Sequence, residues 1–157
     1  MEFTIKPIGS IESPFNNPKN TPIQPCYSDK FGTVEIFDDY ADGLQDLEGF
    51  SHIILLYYFD QSDDTQLMVK PYLDESSKGI FATRHQNRPN KIGLSIVQIV
   101  KIEDNKILVK GIDVLNNTPL IDIKPFVPFF DCQDMKNLTV GWLKDKLIQT
   151  KDEKTDE

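Results

Sequence analysis

The chain has 157 residues, of which 39% are hydrophobic and 27% charged, and its formal net charge is −8. This length fits one domain with a core of its own, and no apolar run approaches the roughly 20 residues that span a bilayer. The excess of acid argues against a protein that coats nucleic acid nonspecifically. No basic segment followed by an apolar one opens the chain, so we expect no signal peptide and a cytoplasmic protein. Cys26 and Cys132 lie far apart without metal-ligand spacing, which predicts two free thiols and no metal site.

The charges are unevenly distributed along the chain. Residues 29–75 carry 12 acidic groups against two lysines, whereas residues 78–124 carry 8 basic groups against 4 acidic ones. An anionic partner is therefore expected to meet the second half of the chain. The final stretch, Lys151–Glu157, is polar and acidic, as is typical of a frayed terminus.

The hydrophobic pattern predicts an all-β protein with one helix, the amphipathic stretch Trp142–Ile148. Phe50–Phe59 is the most hydrophobic run and predicts a strand buried on both faces. Interior glycines suit curvature, so we expect a small closed or partly open β-barrel of six to seven mostly antiparallel strands. The barrel domain is expected to cover residues 1–131, with the helix and an acidic disordered tail in residues 132–157. The other predicted strands are Phe3–Ile11, Gly32–Phe37, Gly79–Thr83, Ile92–Ile102, Ile107–Leu115 and Leu120–Lys124.

Two arginines lie between two of these predicted strands, in the segment Gly79–Ser95. Arg84 ends the first apolar run, and Arg88 precedes Pro89 in the loop that follows. A hairpin with this loop would place both guanidinium groups at one mouth of the sheet, and guanidinium forks suit carboxylates and phosphates. A surface hairpin with solvated charges explains the local pattern equally well.

Two carboxylates, Asp113 and Asp122, lie inside otherwise apolar predicted strands. Each either points outward or is held inward by hydrogen-bond donors. An inward carboxylate can accept hydrogen bonds from ribose hydroxyls or an ammonium group, or it can accept a proton. Asp113 and Asp122 are therefore the candidate catalytic residues.

Four blocks of the sequence, in order, resemble one known family. Leu44–Ile53 resembles the pattern GL-x-x-LEGFSH, and Gly79–Ser95 resembles GVFATR followed by RPNPIGLS. Asp113–Phe126 resembles D-L-x-D-G-TP followed by DIKPY, and Thr21–Pro25 matches part of P-R-Q-P. The family is that of the TsaA-like, or TrmO, tRNA methyltransferases, and the resemblance covers about residues 3–131.

This resemblance implies a small β-barrel that binds S-adenosylmethionine and works as a homodimer. It implies methyl transfer to N6 of threonylcarbamoyladenosine at position 37 of tRNA. From the chemistry of the side chains we further expect Arg84 to hold the carboxylate of the cofactor, and Arg88, Lys91 and Lys124 to meet RNA phosphates. The full set of cofactor contacts implied by the resemblance is Pro25, Cys26, Tyr27, Asp60, Gln61, Arg84, Leu94, Gly111, Ile112, Asp113 and Val114.

The chain also departs from the family pattern, and the departures leave other functions open. One alternative is a methyltransferase of the same fold that acts on a small molecule or a different RNA. Another is a non-catalytic module that binds S-adenosylmethionine. The departures are Ile23, His85, Gln86, Asn87, Lys91, Asn116 and Asn117.

Overall fold

The computed structural model describes residues 1–147, which fall into two units. The first unit comprises Met1–Thr65 and Gln86–Phe126, and the second comprises Gln66–His85 and the described part of Val127–Glu157. Within residues 1–147 there is no helix with the length and apolar content needed to cross a membrane.

Strands dominate the described residues, and the helices are short. The strands are β1 (Gly9–Glu12), β2 (Phe31–Ile36), β3 (His52–Tyr58), β4 (Met68–Val69), β5 (Lys78–Gly79), β6 (Ile92–Glu103), β7 (Lys106–Lys110) and β8 (Thr118–Pro125). The α-helix is α1 (Pro128–Asp131), and the 3₁₀ helices are Pro18–Asn20, Pro25–Tyr27, Asp38–Leu44, Leu47–Gly49, Ile80–Ala82, Met135–Asn137 and Gly141–Leu143.

The first unit is a closed barrel of six strands in the order β1-β2-β7-β6-β3-β8, and every neighbouring pair is antiparallel. Pairing of β1 with both β2 and β8 closes the barrel, which removes free sheet edges. The predicted all-β class is confirmed, with a barrel of six antiparallel strands and a short helix, α1, after it.

The barrel core follows from the two-residue period of its strands. Apolar side chains at alternate positions point inward and are at most 2% exposed, and burying each of them stabilises the fold by about 1.5–3 kcal/mol. These inward residues are Ile11, Val34, Ile36, Ile53, Leu55, Val97, Ile107, Val109 and Leu120.

Burial alternates along β3 as well, so the prediction of a strand buried on both faces is wrong. Ile53, Leu55 and Tyr57 are buried, whereas the side chains between them are half-buried and Tyr58 is 41% exposed. A closed barrel gives each strand only one inner face, so the outward apolar residues of this run remain partly accessible.

The opening strand is shorter than predicted. Ladder contacts begin at Ile8, which donates from its N–H to the Leu120 carbonyl at 2.8 Å, and β1 itself begins at Gly9. The residue before Ile8 is Pro7, whose nitrogen has no hydrogen to donate. The predicted strand over Phe3–Ile11 is therefore wrong in its first half.

The predicted strand Gly79–Thr83 is also wrong. Strand β5 ends at Gly79 and pairs with β4, not with β6. The following residues form a 3₁₀ turn because both the N–H and the hydroxyl of Thr83 donate to the Ile80 carbonyl, at 3.1 and 2.9 Å. The hairpin expected between this segment and β6 does not form.

The strand predicted to run to Leu115 ends at Lys110. Gly111 has φ +89°, in the left-handed region that glycine adopts readily, and its N–H donates to the Lys30 carbonyl at 2.9 Å. Asp113 therefore lies in the irregular segment after β7 and not inside a strand.

The second unit joins β4 and β5 to the segment around Trp142. The Trp142 indole N–H donates to the Ala82 carbonyl at 2.8 Å, and Lys78 Nζ lies 5.6 Å from the centre of the Trp142 ring. Trp142 thus anchors its segment in this unit.

Lys78 also forms a salt bridge with Asp74, whose oxygen lies 3.2 Å from Lys78 Nζ. The Ser76 N–H donates to the Asp74 carboxylate. This hydrogen bond is the main reason that the pKa of the Asp74 carboxyl is lowered to about 2, and the bond with Lys78 is the next.

The helix predicted at Trp142–Ile148 is present only in part among the described residues, since Lys146 and Leu147 are α-helical and the preceding residues are not. Gly141–Leu143 is a 3₁₀ turn, closed by the N–H of Lys144 donating to the Gly141 carbonyl. Ile148 lies outside the described residues, as does the rest of the predicted tail.

Candidate functional site

The segment after β7, Gly111–Val114, is held in place by the N-terminal loop. The Ser28 hydroxyl donates to the Ile112 carbonyl at 2.6 Å, and the Ser13 hydroxyl donates to the Val114 carbonyl at 2.5 Å. Two hydroxyl donors far away in the sequence therefore satisfy backbone carbonyls that no strand pairing reaches.

The 3₁₀ turn Pro25–Tyr27 lies beside this segment. A β-carbon at Gly111 would lie 3.6 Å from the Pro25 carbonyl oxygen and 3.8 Å from that of Ser28. These are ordinary contact distances, so the positive φ of Gly111, not a lack of space, favours glycine there. Two of the predicted groups of cofactor contacts, at residues 25–27 and 111–114, are thus brought together.

The carboxylate of Asp113 is 9% exposed and takes part in a chain of buried hydroxyls. The Ser95 hydroxyl donates to Asp113 Oδ1 at 2.5 Å, and the Tyr57 hydroxyl lies 2.9 Å from Ser95 Oγ. Asp113 is therefore held inward by donors, which was one of the two expected arrangements. Tyr57 and Ser95 were not among the predicted site residues; the available signals were a serine within the apolar run of β6 and the place of Ser95 at the end of the RPNPIGLS motif.

The remaining predicted cofactor contacts of the barrel lie near the start of β6. Leu94 is 39% exposed on the outer face, and its cross-strand partner is Leu56. Asp60 and Gln61 are exposed in the turn after β3. Lys91 holds that turn, because its carbonyl accepts from Phe59 N–H at 2.9 Å and its ammonium donates to the Ser62 carbonyl at 3.3 Å.

Asp122, the second candidate carboxylate, lies on the outer face of β8. Its neighbour Ile123 pairs with buried Leu55, so the Asp122 side chain points the other way. Its oxygens accept from the Ile123 N–H at 2.9 Å and pair with Lys124 Nζ at 2.8 Å. Of the two carboxylates, Asp113 is the one that lies in the segment Gly111–Val114, which the N-terminal loop holds.

The two arginines belong to different units. Arg84 is exposed in the second unit, where the neighbouring His85 N–H donates to the Thr83 hydroxyl at 3.2 Å. Arg88 is half-buried in the first unit, and its N–H donates to the Gln86 carbonyl at 2.8 Å. The cofactor role of Arg84 and the RNA role of Arg88 remain predictions.

A groove of 430 Å³ lies elsewhere on the barrel, over β1, β2 and β7. Its lining includes Glu12, Phe31, Thr33, Leu108 and the Asn116–Asn117 turn, and none of the predicted cofactor contacts. No group of three or more potential metal ligands occurs among residues 1–147, and both cysteines are free thiols.

Comparison with known proteins identifies relatives over most of the chain. The family model described as the tRNA-methyltransferase O N-terminal domain matches residues 10–132. A probable S-adenosyl-L-methionine-binding protein of Pyrococcus abyssi is 47% identical over 140 residues, which are 88% of this chain and 75% of the relative. A human tRNA (adenine(37)-N6)-methyltransferase is 35% identical over 134 residues, which are 80% of this chain and 30% of that protein.

The fold is shared with a solved structure. The crystal structure of TrmO from Pseudomonas aeruginosa superimposes with a TM-score of 0.75 and 35% identity, over 90% of this chain and 62% of that one. The chain thus spans about three fifths of the solved protein.

Proposed function

The chain belongs to the tRNA-methyltransferase O family, and from this membership we propose that it is an S-adenosylmethionine-dependent tRNA methyltransferase. The observation that carries the proposal is the family match over residues 10–132, which includes every predicted cofactor contact. The names of relatives support both parts of it, the cofactor and the tRNA.

The residues around Asp113 suit S-adenosylmethionine. The ribose hydroxyls and the ammonium group of the cofactor are hydrogen-bond donors, and a buried carboxylate accepts strong hydrogen bonds from such groups. The left-handed turn at Gly111 leaves no side chain where the carbonyl oxygens of Pro25 and Ser28 approach. When bound, the cofactor supplies an activated methyl group on a sulfonium.

Within this proposal the protein acts mainly by alignment. Methyl transfer is an in-line displacement, so holding the acceptor nitrogen opposite the sulfonium supplies most of the acceleration. We propose Asp113 as a contact of the cofactor. Asp122 has no proposed role, because it lies on the outer face and pairs with Lys124. Arg84 is the proposed partner of the cofactor carboxylate.

We further propose that the acceptor is N6 of threonylcarbamoyladenosine at position 37 of tRNA. Support comes from the motif resemblance and from the human relative, which is named for methylation of N6 at adenine 37. RNA phosphates would meet the positive side chains of Arg88, Lys91 and Lys124, which all belong to the barrel unit.

The proposed reaction can be tested directly by nucleoside mass spectrometry. Purified protein, S-adenosylmethionine and tRNA that carries unmethylated threonylcarbamoyladenosine should yield the N6-methylated nucleoside. Matched tRNA without the threonylcarbamoyl group is the control, and it should remain unchanged. Methylation of both tRNAs would contradict the proposed acceptor. Calorimetric binding of the cofactor without methylation of either tRNA would favour a small-molecule acceptor or a non-catalytic binding module.

We also propose that the protein works as a homodimer. Several large apolar side chains of the second unit are strongly exposed, among them the aromatic residues Tyr72 at 79%, Phe81 at 78%, Phe129 at 86% and Phe130 at 69%. Phe129 and Phe130 are adjacent, with ring centroids 6.1 Å apart, and contiguous exposed apolar patches commonly mark protein contact surfaces.

Light scattering after size exclusion should therefore give about twice the chain mass of 18.0 kDa. Replacing Phe129 and Phe130 together by serine should shift the protein toward the mass of one chain. Phe3→Ser is the matched control, because Phe3 is 81% exposed but belongs to the first unit. A single-chain mass for the unaltered protein at all concentrations would rule the dimer out.

A further inference from the structure

We propose that Tyr57 and Ser95 are positioning residues that hold the Asp113 carboxylate in the orientation in which it meets the cofactor. The inference deepens the proposed function and rests on it, because it takes Asp113 as a cofactor contact. Neither residue was among the predicted contacts, and both are buried, with Tyr57 4% and Ser95 0% exposed. They act on the cofactor only through Asp113.

The three groups form a chain with one direction. A carboxylate oxygen only accepts, so the single hydroxyl proton of Ser95 points to Asp113 Oδ1. The Ser95 oxygen is then left as an acceptor, and the Tyr57 hydroxyl donates to it across 2.9 Å. Donation from Tyr57 polarises Ser95 and strengthens its bond to Asp113, since neighbouring hydrogen bonds in a dry interior reinforce one another.

Gly93 makes the chain possible. Gly93 is the cross-strand partner of Tyr57, and a β-carbon there would lie 2.2 Å from a ring carbon of that tyrosine. The ring therefore passes directly over Gly93, and its hydroxyl reaches Ser95, two residues further along the same face of β6. Tyr57 thus reaches Ser95 along the inner barrel surface, and Ser95 contacts the Asp113 carboxylate.

Asp113 needs such a support because it lies outside the strand ladder. Its neighbours Ile112 and Val114 are fixed through their carbonyls by Ser28 and Ser13, which hold the backbone but not the carboxylate. Ser95 acts on the carboxylate itself. Without that donor, the buried Asp113 side chain would turn toward other donors and lose its defined orientation.

A double-mutant cycle on cofactor affinity tests this role. By calorimetry, we expect Ser95→Ala to weaken S-adenosylmethionine binding about 10-fold, Tyr57→Phe about 3-fold and Asp113→Asn about 100-fold. In the Asp113→Asn background, Ser95→Ala should have almost no further effect, because its influence passes through the lost carboxylate. If Ser95 has only a structural role, the fold-changes in cofactor affinity of Ser95→Ala and Asp113→Asn should multiply in the double variant. That result would overturn the inference.

Two further variants separate positioning from loss of stability. Ser95→Cys keeps the unbranched shape of the side chain, with a somewhat larger atom, but replaces the hydroxyl by a weak donor, so it should fold nearly like the parent and bind the cofactor like Ser95→Ala. Asn105→Ala removes a 2.7 Å bond to the Ile36 carbonyl at the distant β6–β7 turn. It should lower the melting temperature and leave cofactor affinity unchanged.

The outcomes separate this inference from the proposed function. If the parent binds the cofactor and both Ser95→Cys and Tyr57→Phe bind it equally well, the positioning role is wrong and the function stands. If the parent chain itself does not bind S-adenosylmethionine, the proposed function fails and this inference fails with it.

Discussion

Replacing Arg84 by alanine should weaken the binding of S-adenosylmethionine by about 100-fold or more, measured by calorimetry. A guanidinium holds a carboxylate with two parallel hydrogen bonds, and the alanine side chain can form neither of them. Arg84→Lys should recover only part of the affinity, because an ammonium is a point charge without the planar fork. Arg84 is exposed, so neither change should affect folding much. Unchanged affinity in Arg84→Ala would remove Arg84 from the cofactor site.

The matched control is a basic residue that is proposed to meet RNA and not the cofactor. Lys124 lies on the outer face of β8, where its ammonium pairs with Asp122 at 2.8 Å. Lys124→Ala should bind the cofactor normally and bind tRNA more weakly, with a salt dependence reduced by the equivalent of about one phosphate contact. A loss of cofactor affinity in this variant would show that the two roles cannot be divided in this way.

The barrel could be predicted from the sequence because its strands have strong patterns. The alternating apolar residues of Gly32–Phe37 and the long apolar run Ile92–Ile102 correctly predicted β2 and β6, with boundaries within a residue or two. The run Gly79–Thr83 was misassigned because a short apolar stretch has no period of its own. A side-chain hydroxyl decided its structure, since Thr83 closes a turn on the Ile80 carbonyl.

Local patterns singled out Arg84 and Asp113, and the family motifs supplied the other predicted residues of the site. The resemblance named Asp113, yet the residues that hold it lie at sequence separations of 18 for Ser95 to Asp113 and 38 for Tyr57 to Ser95. No periodicity links such positions before the barrel is built, because only the register of β3 against β6 brings Tyr57 over Gly93. This part of the site had to come from the structure.

The structure also explains one departure from the family pattern. Asn117 has φ +63° and occupies the position of the pattern's glycine, and asparagine is the side chain that best tolerates this left-handed conformation. The preceding Asn116 has a carbonyl oxygen where the pattern has a carboxylate, and it accepts from the Ser13 N–H at 3.0 Å. This pair therefore preserves a turn, and it gives no reason to infer a different substrate.

A second departure changes the backbone. The pattern has proline where this chain has Lys91, and proline is fixed near φ −65°, whereas Lys91 adopts +52°. The turn that carries Asp60 and Gln61 bonds to the Lys91 carbonyl through Phe59. The backbone at Lys91, beside these predicted cofactor contacts, thus has a conformation that the proline of the pattern cannot adopt.

Gly93→Ala should be more destabilising than a single change at Tyr57, Ser95 or Asp113, and we expect it to lower the free energy of unfolding by about 3 kcal/mol. The new β-carbon would lie 2.2, 2.6 and 2.8 Å from three ring carbons of Tyr57, and the ring is buried and cannot move away. Urea denaturation measures the effect. Gly43→Ala is the control, because nothing lies within 4 Å of its β-carbon position, and its stability should change by only a few tenths of a kcal/mol.

The clash at Gly93 should be relieved from the other side of the contact. Because the conflict is between one methyl group and one ring, Tyr57→Leu in the Gly93→Ala background should restore most of the lost stability, although Tyr57→Leu alone destabilises the protein. The double variant should still bind S-adenosylmethionine less tightly than the parent, since Ser95 has lost its donor. An unchanged urea midpoint in Gly93→Ala would mean that the Tyr57 ring does not cross Gly93, and the proposed donation from Tyr57 to Ser95 would then be wrong.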